Sequence, residues 1–395
     1  MTEWHPLRSL DGNDDCEESE QLARQLWQDL DKSAENVGRA IANTSPATMP
    51  TLDHSSMADY EYVYEPSDDT YLLIDAIKYD LFSGYPSDTS SSCGDNEKDN
   101  EEEYISRAAL DFFYHRAKIQ WEGVGDDGDE GGKIVQDLVE KVGSDRSTIV
   151  LSKLLSRLEQ LRRLERIDNV MEIGTGSGVP ITYLSKRLLL EKPNLSHIRG
   201  NDEDEDDEGF SVIATDLNPL ALAFARKTAE ENGVVVSESH IKNEEKEDSS
   251  ITNNNSNAAT TCIQSIEFVE CDLATPLLDD CEGAIDVLVF NPPYVPTEDS
   301  EITGNGIEIS WAGGTDGRIV VDRALPQISR LLRKPDGVCY MITVDDNRPA
   351  QMATILKEEH GLDMVPLVRR RARNEYLSVQ KISWLDPTPT NTIFE

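Results

Sequence analysis

Four consecutive residues, Asn291-Pro292-Pro293-Tyr294, combine a carboxamide, a rigid backbone and an aromatic ring. A planar NH2 group, as in a carboxamide or an adenine amine, is a poor nucleophile because its lone pair is delocalised. The Asn291 side-chain oxygen and the Pro292 backbone oxygen can each accept one of its N–H bonds, and Tyr294 can stack on the planar group. The prolines hold both acceptors in place, which is electrostatic preorganisation. The pattern indicates group transfer to a planar nitrogen, although Asn-Pro and Pro-Pro also occur in plain loop turns.

A second set of residues has the types needed to bind an adenosine compound. The glycines of the turn 172–178 let a ligand approach the backbone closely, although a structural tight turn would also explain them. Asp216 can accept both hydroxyls of a ribose, and Asp272-Leu273 can meet an adenine amino group and its ring face. The glycines depart from the dinucleotide pattern GxGxxG, and the chain has no phosphate-binding GxxxxGK[ST] motif. An adenosine compound without phosphates points to S-adenosylmethionine.

Both sets follow short apolar runs that end at polar or glycine-rich turns and alternate with helical patterns. This alternation predicts an α/β fold, in which a mostly parallel sheet is covered by helices on both faces and binds its ligand at the carboxyl ends of the strands. The predicted strands are residues 169–173, 210–214, 265–269, 286–290, 338–344 and 376–381, and the predicted helices are residues 182–190, 220–232, 322–332 and 350–359.

The charge is concentrated outside this pattern. The chain has 395 residues and a formal net charge of −39. Four acidic stretches, residues 1–58, 85–168, 200–209 and 237–262, carry a net −24 of that charge. Most of this sequence is too polar to form a core and is predicted to be disordered. The stretch 85–168 contains two helical patterns, residues 104–121 and 148–167, of which the first is a packed accessory helix or a partner-binding segment.

The global composition argues against several classes of protein. The acidic field repels phosphate backbones and anionic membranes, so nucleic-acid binding is not expected. No apolar run approaches the ~20 residues that span a bilayer. The N-terminus resembles neither a secretory signal nor a transit peptide. The six cysteines form no CxxC pair, so no metal site is expected, and reduced cysteines indicate the cytoplasm, with the nucleus as a second location.

The motifs together resemble the HemK/PrmC-type class I S-adenosylmethionine-dependent methyltransferases, in particular the eukaryotic and archaeal branch that methylates a glutamine amide in peptide-chain release factors. The most specific match is GIEISWAGG at residues 306–314, followed by Asp316-Gly317-Arg318 and Asp322-Arg323. The other matches are YEPSDDT at 64–70, which keeps the second acid of the branch motif at Asp69, EIGTGSG at 172–178, DLNP at 216–219 and FNPPYVPT at 290–297.

The resemblance assigns roles to individual residues. It implies that Thr70 contacts the methionine part of the cofactor, and that Glu172, Gly174 and Gly176 line its middle. It places Asp216 and Leu217 at the ribose, and Asp272 and Leu273 at the adenine. It implies that Asn291, Pro292 and Tyr294 hold the target amide, with Asn291 also beside the cofactor.

The resemblance also implies an architecture and a partner. It predicts a Rossmann-like, seven-stranded sheet whose last strand runs antiparallel. It predicts one methyltransferase domain over residues 59–384, interrupted by inserts at about 85–147, 200–209 and 237–262, after an acidic and largely disordered arm (1–58) and before a tail (385–395). Members of the branch pair through an edge strand with a small zinc-binding activator protein. By position, that edge is residues 265–271.

The expected activity is N5-methylation of the glutamine in the GGQ motif of a class I release factor. Methylation of adenine in DNA stays open because it shares the NPPY motif and a planar target, but the acidic core disfavours it. Methylation of protein lysine also stays open, although a lysine amine is not planar. A binding-only role is a further alternative, and the intact Glu172, Asp216, Asp272 and NPPY residues argue against it.

Overall fold

The computed structural model describes residues 15–42, 49–82, 163–191, 210–237, 265–302, 306–373 and 375–385. The predicted helix 104–121, most of the helix 148–167 and most of the three inserts lie outside these residues. Within the described ranges, no helix is both long and apolar enough to cross a bilayer.

One mixed sheet forms the centre of the molecule. Its order is β3-β4-β2-β1-β5-β8-β10-β9, and β10 runs antiparallel to both of its neighbours while the other pairs are parallel. The mostly parallel α/β sheet is therefore confirmed. The strands are β1 (Asn169–Ile173), β2 (Ser211–Asp216), β3 (Val235–Ser237), β4 (Ser265–Glu270), β5 (Val287–Phe290), β8 (Val338–Val344), β9 (Leu362–Ala372) and β10 (Glu375–Trp384). A separate pair joins β6 (Val295–Pro296) to β7 (Ala312–Gly314).

The sheet has eight strands, so the prediction of seven was wrong by one. The added strand is β3, which pairs in parallel with the first three residues of β4. Its β-branched run follows Gly233, whose φ of +74° ends the preceding helix. The Arg226 guanidinium donates to the Ser237 carbonyl oxygen at 3.1 Å. The prediction that residues 265–271 form the edge of the sheet was therefore wrong, because β3 lies outside β4.

Strand β9 is absent from the strands predicted from the periodicity. Its sequence contains Pro366 and a run of arginines, which do not read as a buried strand. The strand is at the end of the sheet, where proline is tolerated. Its register with β10 shifts between Val379 and Gln380, next to the residues that pair with Val368 and Pro366. This bulge accommodates the proline within an otherwise regular pair.

Helices cover both faces of the sheet. Alternate strand residues point to opposite faces, as Val170 and Met171 do in β1, and each face carries its own apolar core. One face packs against α2 (Asp68–Ile77), α3 (Val179–Glu191) and α4 (Pro219–Glu231), and the other against α5 (Ile319–Leu331) and α6 (Pro349–Ile355).

The N-terminal region differs from the predicted disordered arm. A 28-residue helix, α1 (Asp15–Ala42), lies along β9. Its Gly38 crosses so closely that a Cβ atom there would overlap the Arg369 carbonyl oxygen. The buried Arg369 guanidinium is 3.7 Å from Asp31 and 3.6 Å from Glu35 of this helix. Two of the acids that suggested disorder therefore serve as ion-pair partners of a buried arginine.

A segment of residues 49–63, here called the strap, runs across α4 to the YEPSDDT segment at residues 64–70. Thr51 exchanges two hydrogen bonds of 2.9 Å with the Asn232 side chain. The His54 imidazole lies 2.8 Å from the Glu231 carboxylate and packs against the Phe224 ring. The strap thus fixes the approach of the chain to the first turn of α2.

Candidate active site

A cavity of about 700 Å³ opens at the carboxyl ends of β1, β2, β4 and β5. Parallel strands end at one edge of the sheet, so residues far apart in sequence meet there. All of the residues assigned from the sequence line this cavity, namely Thr70, Glu172, Gly174, Gly176, Asp216, Leu217, Asp272, Leu273, Asn291, Pro292 and Tyr294.

The glycine turn after β1 adopts conformations that side chains disfavour. Gly174, Gly176 and Gly178 have φ of +65°, +51° and +74°. At Gly178 a Cβ atom would lie 2.6 Å from the Ala225 side chain, so glycine permits close packing of the turn on α4. The turn therefore presents open backbone to the cavity.

Asp216, at the end of β2, is held by backbone donors. Its carboxylate accepts N–H bonds of 2.8 Å from Gly176 and from Asn218. Burial raises the pKa of Asp216, and these hydrogen bonds oppose the shift. The Asn218 amide donates to the Tyr62 carbonyl oxygen of the strap at 2.8 Å. The geometry leaves a fixed carboxylate at the place predicted for the ribose.

Glu172 is almost fully buried beneath the glycine turn. Desolvation raises the pKa of Glu172 to about 8, and the hydrogen bond from the Thr175 hydroxyl at 2.5 Å opposes that rise. The nearby Asp216 carboxylate raises the pKa further. The neutral carboxyl form therefore predominates at pH 7, and a cationic ligand would favour ionisation.

The carboxyl end of β4 presents Asp272 and Leu273. Leu273 has a φ of +55°, and its carbonyl oxygen accepts a hydrogen bond of 2.8 Å from the Thr215 hydroxyl. The Asp272 carboxylate forms an ion pair with Arg323 of α5. Arg323, which the residue assignments did not include, thus orients the acid predicted to meet the adenine amino group.

Residues 291–294, here called the catalytic loop, are organised around Asp69, in the first turn of α2. One oxygen of this carboxylate accepts hydrogen bonds from the Asn291 amide nitrogen at 3.1 Å, the Tyr294 hydroxyl at 3.2 Å and the Tyr64 hydroxyl at 3.0 Å. Burial and the Asp69 charge raise the pKa of Tyr294, so its hydroxyl keeps its proton. Asp69 therefore fixes the orientation of the Asn291 amide.

The fixed amide presents a free acceptor. Within the part of the chain that the structure describes, the buried Asn291 Oδ1 atom has no hydrogen-bond partner. A buried carbonyl oxygen is costly to leave without a donor, so such an atom marks a place for a ligand N–H. The Asn291 Oδ1 atom is therefore suited to accept one N–H bond of a planar NH2 group.

Asp69 is the main functional residue that the sequence reasoning did not assign. In the sequence, Asp69 is recognisable only as the second acid of the segment 64–70. Its contacts join residues more than 200 positions apart, as the bond to Asn291 shows. The position of an acid directly before Thr70 was the only indication in the sequence. The contact between Asp69 and Asn291 becomes visible only in the folded structure.

Comparisons with known proteins find methyltransferases among the relatives of this chain. The Homo sapiens Methyltransferase HEMK2 is 31% identical over 231 residues, which are 58% of this chain and 85% of that protein. The Schizosaccharomyces pombe eRF1 methyltransferase catalytic subunit mtq2 is 28% identical over 239 residues, 59% of this chain and 84% of that protein. No family model matches the chain.

Among solved structures, one chain comes from the E. cuniculi Mtq2-Trm112 complex. It is 23% identical, covers 57% of this chain and 92% of that chain, and has a TM-score of 0.33. The identification rests on the sequence relatives instead. Because the similarity to the human protein spans most of that protein's length, the chain belongs to the HEMK2 family of methyltransferases.

Proposed function

We propose that this methyltransferase transfers a methyl group from S-adenosylmethionine to the side-chain amide nitrogen of the glutamine in the GGQ motif of a class I release factor. The observation that carries the proposal is the buried, unpartnered Asn291 Oδ1 atom, held in position by Asp69. A relative is named for methylation of eRF1, and another is named a release factor glutamine methyltransferase.

The cavity suits a cationic adenosine compound. Its lining includes four acids, Asp69, Glu172, Asp216 and Asp272, and the single basic side chain in that lining, Arg323, is paired with Asp272. A phosphorylated ligand would meet net negative charge there, whereas a cationic one is attracted. When bound, S-adenosylmethionine supplies an electrophilic methyl group on a sulfonium centre. Thr70 would hold its methionine part, Glu172 and the open glycine turn would line its middle, and Asp216 would bind the ribose.

The chain's own groups would orient the target amide. The Asn291 Oδ1 atom accepts one N–H of the substrate, and the Pro292 carbonyl oxygen accepts the other. Both acceptors stabilise the positive charge that develops on the nitrogen as its resonance with the substrate carbonyl is lost. The Tyr294 ring packs against the planar group. No strong base is required, because the methylated nitrogen becomes acidic and loses its proton once the new bond has formed.

We also propose that the chain works as the catalytic subunit beside a small activator protein, as the names of its relatives indicate for themselves. Strand addition at a sheet edge is a common recognition mode. At the edge of the sheet formed by β3, this short strand pairs with only the first half of β4. The part of β4 from Phe268 to Glu270 has no outer strand within the described chain. An activator strand would pair there or extend β3.

A methyl-transfer assay tests the main proposal. The enzyme is given cofactor labelled on the methyl group and a release factor, either unmodified or with its GGQ glutamine replaced, each with and without the activator. We expect label on the unmodified factor and its loss on the variant. Retention of label on the variant would contradict glutamine as the target, and digestion to locate the label would then identify the residue modified.

A further inference from the structure

We infer that Asn347 is a positioning residue that locks the backbone of the catalytic loop against its neighbouring loops. The inference deepens the proposed function, since it concerns the same site, and it names a residue that does not line the cavity. Asn347 follows β8, the strand next to β5 in the sheet, and is fully buried.

Every hydrogen-bonding group of the Asn347 amide is used. Its oxygen accepts the Val344 N–H at 2.8 Å. Its nitrogen donates to the carbonyl oxygens of Tyr294 at 2.8 Å, Asp316 at 3.1 Å and Gly317 at 3.3 Å. One side chain therefore joins the end of β8, the catalytic loop and the glycine-rich loop 312–317.

The packing around this amide leaves no room for adjustment. Gly317 has a φ of +66°, and a Cβ atom there would overlap the Tyr294 carbonyl oxygen and approach the Asn347 nitrogen. Arg348 reinforces the junction through an ion pair of 3.0 Å with Asp316. Three backbone segments thus converge on one buried side chain.

Anchoring the Tyr294 carbonyl has a consequence for the two acceptors. Proline fixes φ, so Pro292 and Pro293 leave few rotatable bonds between Asn291 and Tyr294. The loop is held at Asn291 by Asp69 and at the Tyr294 carbonyl by Asn347. The Pro292 carbonyl oxygen, which lies between these two points, therefore takes its direction from both. A displacement of about 1 Å at this oxygen is enough to slow transfer by roughly 100-fold.

The substitution Asn347→Asp tests the inference with little change in shape. It keeps the acceptor for Val344 but places a carboxylate oxygen opposite three carbonyl oxygens. This surrounding raises the pKa of the introduced carboxyl, and only its protonated form can donate to Tyr294. We expect kcat to fall by roughly 10- to 100-fold, with the relative loss growing as pH rises, and the Kd for S-adenosylmethionine to stay within about twofold.

A matched control comes from Gln380, a fully buried amide on β10 whose nitrogen donates to the Thr343 hydroxyl at 2.9 Å. Gln380→Glu also introduces a buried acid but leaves the catalytic loop untouched. We expect Gln380→Glu to lower the thermal midpoint while kcat at a permissive temperature stays within about twofold. Equal loss of kcat in both variants, or unchanged kcat in Asn347→Asp, would overturn the inference.

Hydrogen–deuterium exchange separates this inference from the proposed function. In Asn347→Asp we expect faster exchange in residues 294–297 and 312–317, and unchanged exchange in β1. If the wild type methylates no GGQ glutamine, the proposed function fails while this readout still decides the role of Asn347. If Asn347→Asp does not fold, Asn347→Ala takes its place, and unchanged exchange in these loops would contradict the inference.

Discussion

Asp69 shows how one carboxylate can set the direction of a neutral catalytic group. An asparagine amide can rotate to exchange its oxygen and nitrogen, and only one of the two orientations offers an acceptor to a substrate N–H. The Asp69 carboxylate accepts a hydrogen bond from the amide nitrogen and so selects the orientation in which Oδ1 is the free end of the amide. We therefore expect Asp69, which lies outside the NPPY motif, to set the preference for a donor-bearing target.

We predict that Asp69→Asn lowers kcat by about 100-fold, because the replacement can pair with either end of the Asn291 amide. The Kd for S-adenosylmethionine should change by much less. Asp68→Asn is the matched control, since Asp68 precedes Asp69 and is exposed. Steady-state kinetics and calorimetric titration of both variants measure the split, and a comparable loss in the control would contradict the role of Asp69.

Asn291→Ala should likewise reduce kcat by orders of magnitude while cofactor affinity changes little, because the variant loses the acceptor for the substrate N–H. Single-turnover kinetics with bound cofactor report the transfer step directly. An equal loss of cofactor affinity would instead make Asn291 mainly a cofactor residue.

Glu172 makes stability depend on pH. Its pKa is about 8 in the folded chain and 4.5 when exposed, so the unfolded state ionises first as pH rises. The folded state is therefore most stable below pH 4.5, where the carboxyl is protonated in both states. Its stability falls as the pH rises toward 8, because over this range only the unfolded state loses the proton. Between about pH 5.5 and pH 8, Glu172→Gln should gain roughly 3 kcal/mol of unfolding free energy relative to the wild type. Urea unfolding at several pH values measures this difference, and parallel curves for the two proteins would contradict it.

At the scale of elements, the sequence predicted what local periodicity and motif position determine. The strands Asn169–Ile173 and Val338–Val344 begin and end where the apolar runs do. Strand β9 could not be found in this way, because Pro366 and the arginines interrupt its apolar pattern. The strand forms through its antiparallel pairing with β10, which local periodicity does not reveal. Strand β3 is only three residues long, and its neighbour β4 begins after the insert. The site residues were found through motifs, whereas Asp69 and Asn347 act through contacts that only the fold creates.

The docking of α1 depends on the absence of a side chain at Gly38. We predict that Gly38→Val separates α1 from β9, because its side chain would overlap the Arg369 carbonyl oxygen. Faster hydrogen–deuterium exchange in residues 24–42 should report the separation. Lys32→Val is the control on an exposed position of the same helix, and equal exchange in the two variants would contradict tight docking.

At the scale of the whole molecule, the net charge of −39 gains a spatial meaning. Residues 200–209 carry seven of the negative charges, and in the sequence they lie between the end of α3 at Glu191 and the start of β2 at Ser211. The amino ends of the strands lie opposite the cavity. The chain therefore enters β2 on the side of the sheet away from the site, directly after these seven acids in the sequence.

Deletion of residues 201–208 should accordingly leave kcat and the KM for S-adenosylmethionine within about twofold, because the field of exposed charges is screened over roughly 8 to 10 Å at physiological salt. The methyl-transfer assay with the deleted protein measures this. A large fall in kcat with unchanged thermal stability would show that this segment acts on the substrate.

The placement of α1 along β9 and of β3 beside β4 also leads us to an expectation for the protein in concentrated solution. An open sheet has two edges at which unpaired backbone groups can bind strands from other molecules. Here α1 lies along β9 at one edge, and β3 pairs with part of β4 at the other. Removal of residues 1–42 should therefore expose the outer edge of β9 and increase self-association relative to the full chain, which light scattering at several protein concentrations measures.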